Sequence, residues 1–284
     1  MKTSLAIQAF EDFASIDSLK GYLREVASWG YDAVEPMINN PDLTNSNATV
    51  SALENLQLGV SGFRTGLIYQ REGFSLTDPQ GAVRERAVAR LIQCIEYASH
   101  FPGACLLNGL IQGPLQEIPA EEASDSFGKV TPSLISVEQA DGWIIECLKT
   151  CCKESEKRGV GFCLEAVNRY ELPYHNTLGE VAAIIGHVES PSLKMLVDTF
   201  HMNIEETSPE EAIREHGSHI GAVHLADSNR LAPGLGHINF EEIMRALIDV
   251  NYDGYLTVEI SHPNIKDAGE AGASKYIKGL LSSD

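Results

Sequence analysis

Four short apolar runs decide how this chain is read: VGFCLEAV (160–167), LKMLVDTFH (193–201), HIGAVHLAD (219–227) and YLTVEI (255–260). Each has the length and the aliphatic, β-branched content of a buried strand. Each also carries, near its C-terminal end, a residue that can bind a metal: Glu165, Asp198, His224 and Glu259 in turn. One polar residue at a strand end is ordinary, because loops and strand ends are where polar groups gather. Four in four successive strands form a set. Three carboxylates and an imidazole are a hard, oxygen-rich donor set. It suits Mn²⁺, Mg²⁺ or Co²⁺ better than the closed, thiolate-rich sites of structural zinc do.

Outward from these runs, strand and helix patterns keep alternating. SLAIQAF (4–10), DAVEPMI (32–38), GVSGFRTG (59–66) and ACLLNGLI (104–111) read as strands. Helical spacing covers 17–30, with Asp17 as the expected N-cap, and a stretch around 47–59. A long amphipathic run from Asp78 to His100 is expected to start on Asp78 as N-cap, with Pro79 at the first helical position. Capping boxes at Ser136 with Gln139, Thr177 with Glu180 and Ser208 with Glu211 open further helices, the first running to Gly159. Asn239 with Glu242 does the same, and a last helix follows Lys266. Residues 112–132, rich in Gly, Pro and acidic residues, read as an irregular loop that is either functional or disordered.

Eight strands alternating with eight helices predict parallel pairing and an α/β fold, a closed (β/α)8 TIM barrel forming one domain over residues 1–284. The competitor is a doubly wound open sheet. It usually shows a Gly-rich phosphate turn after the first strand, and SLAIQAFEDF (4–13) shows none. In a barrel the strand C-termini converge on one mouth. Glu165, Asp198, His224 and Glu259 end the fifth to eighth strands, so they are expected to meet there.

The chain is 284 residues long with 43% hydrophobic residues, enough for one large core. Its formal net charge of -19 repels nucleic acid and anionic membrane, and no run of Lys and Arg offsets it locally. No apolar run is long enough to span a membrane, and the apolar stretch at the N-terminus is too short for a signal peptide. The six cysteines form no C-x-x-C pair. They are expected to be reduced thiols serving as small apolar residues in a cytoplasmic protein.

Three runs then carry a resemblance: EAVNRYE (165–171), VDTFHMNIEE (197–206) and HLADSNRLAPGLGH (224–237). With their ligands and spacings, the chain resembles the xylose isomerase-like barrel superfamily of sugar isomerases and epimerases. Within it, the chain is most similar to the ketose 3-epimerase branch typified by D-tagatose 3-epimerases, and especially to 5-keto-L-gluconate epimerases. The resemblance implies one divalent metal ion held by Glu165, Asp198, His224 and Glu259, with Mn²⁺, Mg²⁺ or Co²⁺ favoured and Zn²⁺ admitted. It implies that Glu165 and Glu259 also exchange the proton at the epimerised carbon. It further implies that Glu171, His201 and Arg230 hold the first oxygens of a sugar or sugar acid, and that the protein is a homodimer or homotetramer.

The chemistry agrees with those roles. Removing a proton α to a ketone builds negative charge on the carbonyl oxygen, which a divalent cation stabilises as a Lewis acid. Inverting a stereocentre needs one base on each face, and two carboxylates from different sides of a barrel mouth provide them. Arg64, Arg71 and Arg169 are expected to be surface cations or cations behind the site, and His237 to stabilise its loop. A hydroxypyruvate-type isomerase stays open as an alternative. Xylose isomerase itself carries a Lys-x-Glu motif, which no strand end here shows. An abasic-site endonuclease needs further histidines after the third and fourth strands and an Asp-x-His pair. Those places hold Thr65 and Gly66, Asn108, and Asp227-Ser228-Asn229. The sugar or keto acid is left open.

Overall fold

The computed structural model describes residues 1–43, 46–115, 135–260 and 266–282. Most of the loop expected over 112–132 lies outside the described residues. The described strands are β1 (Lys2–Ile7), β2 (Ala33–Pro36), β3 (Gly59–Val60), β4 (Gly62–Arg64), β5 (Cys105–Asn108), β6 (Gly161–Glu165), β7 (Leu193–Asp198), β8 (Ile220–Leu225) and β9 (Tyr255–Val258). They form one parallel sheet in the order β3-β2-β1-β9-β8-β7-β6-β5-β4. β3 and β4 are two halves of one stave, parted by Ser61. The Ser61 N–H donates to Val34 O at 3.1 Å on one side, and its carbonyl accepts from Cys105 N at 3.3 Å on the other. That residue closes the ring, so the chain folds as the eight-stave barrel the alternation predicts.

Strand parity then sorts the side chains. Leu107, Cys163, Leu196 and Ala222 form a small cluster inside the barrel. The larger core, including Leu5, Val34, Phe63, Leu106, Phe162 and Val223, lies between the staves and the surrounding helices. Side chains two residues apart on a strand share a face. Two residues beyond Cys163, Leu196 and Ala222 come Glu165, Asp198 and His224, which therefore face the barrel axis at its C-terminal end. Glu259, just past β9 and two residues beyond the buried Thr257, does the same.

Several helix starts differ from expectation. The helix Ile16–Ser28 is capped by Ser15, which exchanges a capping box with Ser18, and not by Asp17. The long fourth-stave approach helix begins at Gly81, not at Pro79. Asp78 Oδ1 accepts from Gln80 N at 2.8 Å, and Arg84 Nη1 donates to the carbonyls of Asp78 and Pro79, so these residues form a turn ahead of the helix. Ser208 sits at the N-cap of Pro209–His216 but gives no cap, because its hydroxyl donates to Glu210 Oε1 instead. The boxes at Ser136 and Thr177 and the cap at Asn239 form as read. Two short helices were not foreseen, Gly66–Glu72 after β4 and Thr199–Glu205 after β7. All six cysteines are free thiols, five of them buried. Among the described residues no helix is long and apolar enough to cross a membrane.

Candidate active site

The C-terminal mouth of the barrel opens into a cavity whose wall includes Glu165, Glu259, His201, His224, Arg64 and Arg230. Asp198 is fully buried beside it, next to His201 and Arg230. Its Oδ1 accepts from Phe200 N at 2.8 Å, capping the short helix that follows. Its Oδ2 accepts from Arg230 Nη1 at 2.7 Å. Glu259 is gripped by two arginines: Arg64 Nη1 donates to Oε1 at 2.6 Å, and Arg230 Nη2 donates to Oε2.

His224 is buried between carboxylates. Its Nε2 lies 2.7 Å from Glu35 Oε1. Its Nδ1 faces the mouth, 3.3 Å from Glu259 Oε2 and 3.9 Å from Asp198 Oδ2, without a hydrogen-bond partner among the described residues. Glu165 presses against the backbone of Gly109: a Cβ there would stand 2.2 Å from Glu165 Oε2. Gly109 thus makes room for the carboxylate. Gly109→Ala is expected to displace Glu165 and lower turnover by ~10²-fold, the scale of a misplaced reacting group. Steady-state kinetics beside a thermal melt of the same variant separate that displacement from unfolding.

Two overlapping groups of donor atoms could hold an ion: Asp198, His224 and Glu259, and Glu165, Asp198 and His201. Asp198 belongs to both. The four predicted ligands are thus adjoining but are not one group here: Asp198, His224 and Glu259 stand together, Glu165 stands with Asp198 and His201, and the Arg230 guanidinium donates to both Asp198 and Glu259. The residues fit a divalent cation on chemistry that is present: hard carboxylate donors, and a buried imidazole nitrogen that lacks a partner and points among them.

The other predicted residues also reach the mouth. Asn168 donates to His201 Nδ1 from its backbone N at 3.3 Å and from Nδ2 at 2.7 Å. The amide orientation is set by Tyr170 N donating to Asn168 Oδ1 and by Nδ2 reaching Glu171 Oε1 at 2.9 Å. With Nδ1 accepting, the His201 proton sits on Nε2, which lies 3.5 Å from Glu165 Oε1. His201 therefore presents an Nε2–H toward the cavity, while also belonging to one of the two donor groups. Glu171 is half exposed on the cavity wall. Arg230 stacks over the Phe200 ring, 4.7 Å from its centroid.

Arg230 has a positive φ of 60°. Its loop is pinned by buried Asp227, whose carboxylate accepts from the backbone N–H groups of Ser228, Gly234 and Ile238. A Cβ on Gly236 would come within 2.2 Å of Asp227 Oδ1, so this turn needs glycine. His237 hydrogen-bonds Ser228 Oγ at 2.9 Å and so belongs to the loop, as expected. Arg71 pairs with Asp12 and Arg169 with Glu205, both away from the cavity wall. Arg64, by contrast, is part of the wall itself and only partly exposed. Glu35 was missed altogether. Its one signal is a carboxylate in the middle of an apolar strand, AVEP.

The two glutamates are driven apart electrostatically. Burial, together with the charges of Glu259 and Asp198, pushes the Glu165 carboxyl up to about 8, with His224 partly opposing. Burial also raises Glu259, but Arg230, His224 and Arg64 outweigh it and hold this carboxyl well below its usual range. At neutral pH one is protonated and the other ionised.

Residues 23–281 match the xylose isomerase-like TIM barrel family, and the chain belongs to it. Its homologues there include ketose 3-epimerases. A D-psicose 3-epimerase of Ruminiclostridium cellulolyticum is 39% identical over 130 residues, 46% of this chain and 43% of the relative. The match thus spans less than half the length of that relative. An L-ribulose 3-epimerase of Mesorhizobium japonicum is 28% identical over 238 residues, 84% of this chain and 74% of the relative. Among solved structures, D-psicose 3-epimerase from Clostridium cellulolyticum H10 with D-tagatose superposes with a TM-score of 0.80 at 22% identity, covering 99% of both chains. An AP endonuclease of family 2 from Brucella melitensis does so with a TM-score of 0.74 at 15% identity, over 97% of this chain and 99% of that one. At these identities the structural likeness is one of fold.

Proposed function

We propose that this protein is a divalent-metal-dependent epimerase of a ketose or keto-aldonate, acting by proton exchange between Glu165 and Glu259. One observation carries the reading: two carboxylates, Glu165 and Glu259, stand three staves apart and face one cavity at the barrel mouth. That is what inversion at an acidic carbon requires, a base ready on one face and an acid on the other. Glu259 starts as the base and Glu165 as the acid in one direction, and they exchange roles in the other. The similarity to ketose 3-epimerases supports the same chemistry, and the runs shared with 5-keto-L-gluconate epimerases favour that activity within the class.

Glu165, Asp198, His224 and Glu259 would hold the ion, Mn²⁺, Mg²⁺ or Co²⁺ by donor type. When bound it supplies a Lewis acid for the substrate carbonyl oxygen. The His201 Nε2–H and the Arg230 guanidinium face that same space and donate to the oxygen as charge develops on it. Glu171, on the rim, accepts from a substrate hydroxyl. We read residues 1–284 as one domain, working on a small sugar or sugar acid in the cytoplasm as a homodimer or homotetramer, without nucleic acid or membrane.

The test is the purified protein with Mn²⁺ against a panel of ketoses and keto-aldonates in D₂O, followed by NMR. Deuterium entering at the inverted carbon supports the reading; no exchange with any member of the panel overturns it. His201→Ala should keep stoichiometric Mn²⁺ while kcat falls by ~10²-fold, the scale of losing one donor to a developing oxyanion. Loss of the metal in that variant would assign His201 as a ligand.

A further inference from the structure

We infer that Glu35 is a positioning residue that makes His224 a metal ligand: it holds the imidazole in one orientation and one tautomer, with Nδ1 turned to the ion. The inference rests on the metal site proposed above. Glu35 lies on β2, three staves from His224 on β8 with β1 and β9 between them, and is 1% exposed. Its Oε1 is 2.7 Å from His224 Nε2. Its Oε2 accepts from Thr257 Oγ1 at 2.8 Å and from Ser61 Oγ at 3.2 Å. Arg64 Nε stands 3.5 Å from Oε1.

A carboxylate flanked by those donors accepts from His224, so Nε2 keeps its hydrogen and Nδ1 is the nitrogen left to bind an ion at the mouth. That nitrogen lacks a hydrogen-bond partner among the described residues and sits among Asp198 and Glu259 oxygens. A carboxylate behind an imidazole ligand also raises the basicity of the ligating nitrogen, and losing such a partner typically lowers metal affinity by ~10–100-fold.

A structural role alone explains Glu35 poorly. Burying a carboxylate is costly, and an apolar residue at this strand position would avoid that cost. Ser61 has a second hydroxyl partner, Ser4 Oγ at 2.7 Å, so Glu35 is not needed to satisfy it. What the carboxylate adds is an anchored hydrogen bond to His224. Arg64 extends the arrangement, since it contacts Glu35 and also donates to Glu259. Two of the four proposed ligands are thus steadied by one pair, the buried Glu35 and the partly buried Arg64.

The experiment measures Mn²⁺ affinity by calorimetry with no sugar present, so the outcome does not depend on whether the protein is an epimerase. Glu35→Ala is expected to weaken binding by about 100-fold. Glu35→Gln keeps an oxygen for Nε2–H but loses the charge, and should weaken it by about 10-fold. In metal-free protein labelled with ¹⁵N-histidine, the His224 Nε2 proton should give a downfield resonance, assigned by its loss in His224→Ala. That resonance should vanish in Glu35→Ala. Wild-type affinity in both Glu35 variants, or an unchanged resonance in Glu35→Ala, overturns the inference. Should the Glu35 variants fail to fold, Thr257→Val removes one donor to Oε2 and should weaken Mn²⁺ several-fold, and unchanged affinity there overturns the inference equally. A wild-type protein that binds Mn²⁺ but epimerises no sugar overturns the functional reading alone; one that binds no divalent ion overturns both.

Discussion

Glu165→Gln and Glu259→Gln should each lower turnover by ~10²–10⁴-fold, the range supplied by one positioned acid or base. The two losses should differ in kind. Glu165 is protonated at neutral pH in the metal-free protein, raised to about 8 chiefly by burial. Glutamine at this position resembles the neutral acid in shape but has no proton to give and cannot act as a base. Glu165→Gln therefore keeps an ionised Glu259, which can still remove hydrogen from the epimer whose C–H bond faces it. In D₂O that variant should wash deuterium into one epimer without inverting it. Glu259→Gln should show the complementary pattern, washing the opposite epimer from the face of Glu165. The wild type should place deuterium at the inverted carbon of both. Near-wild-type epimerisation in either variant, or a wild-type product free of solvent deuterium, would sink the two-base mechanism and favour a hydride shift.

Those two glutamates were legible in the sequence because strand parity and strand order are. Each lies two residues beyond an interior-facing residue, at the end of a stave, and a barrel brings stave ends together whatever their sequence separation. The capping boxes at Ser136 and Thr177 were legible for a similar reason, since each is a local pattern with a local cause. Glu35 was not legible, because its meaning lies in a partner 189 positions away that only closure of the ring brings within 2.7 Å. Arg64 sits in GVSGFRTG, where nothing local distinguishes an arginine facing Glu259 from one facing water. The helix Thr199–Glu205 was hidden for another reason: TFH continues the apolar pattern of β7. That helix turn sets His201 one turn past Asp198, on the same side, and so brings its Nε2 over Glu165.

Asp198→Ala should remove the metal and the activity together, with affinity falling by more than the ~100-fold upper range for an outer partner, since a direct donor is lost. Asp198 is the one residue common to both donor groups, and Phe200 N–H and Arg230 fix both its oxygens. The fold should survive, because Arg230 retains Glu259 and one freed backbone N–H costs about 1–3 kcal/mol. Binding should also be linked to protons in a way that identifies their source. Below pH about 8 an ion that takes Glu165 as ligand must displace its proton. His224 holds another: burial lowers its affinity for a proton, but the charges of Glu35 and Glu259 outweigh this and raise it well above the usual range. Ligation through Nδ1 displaces that proton as well. Apparent Mn²⁺ affinity should therefore rise as pH rises, by about tenfold per unit for each proton displaced, with the Glu165 contribution levelling off above pH about 8. Calorimetry in two buffers of different ionisation enthalpy counts the protons released per ion. The count at pH 7 should drop by about one in Glu165→Gln. An unchanged count in that variant would mean that Glu165 is not the group the ion displaces, and the assignment of Glu165 as both acid and ligand would fall with it.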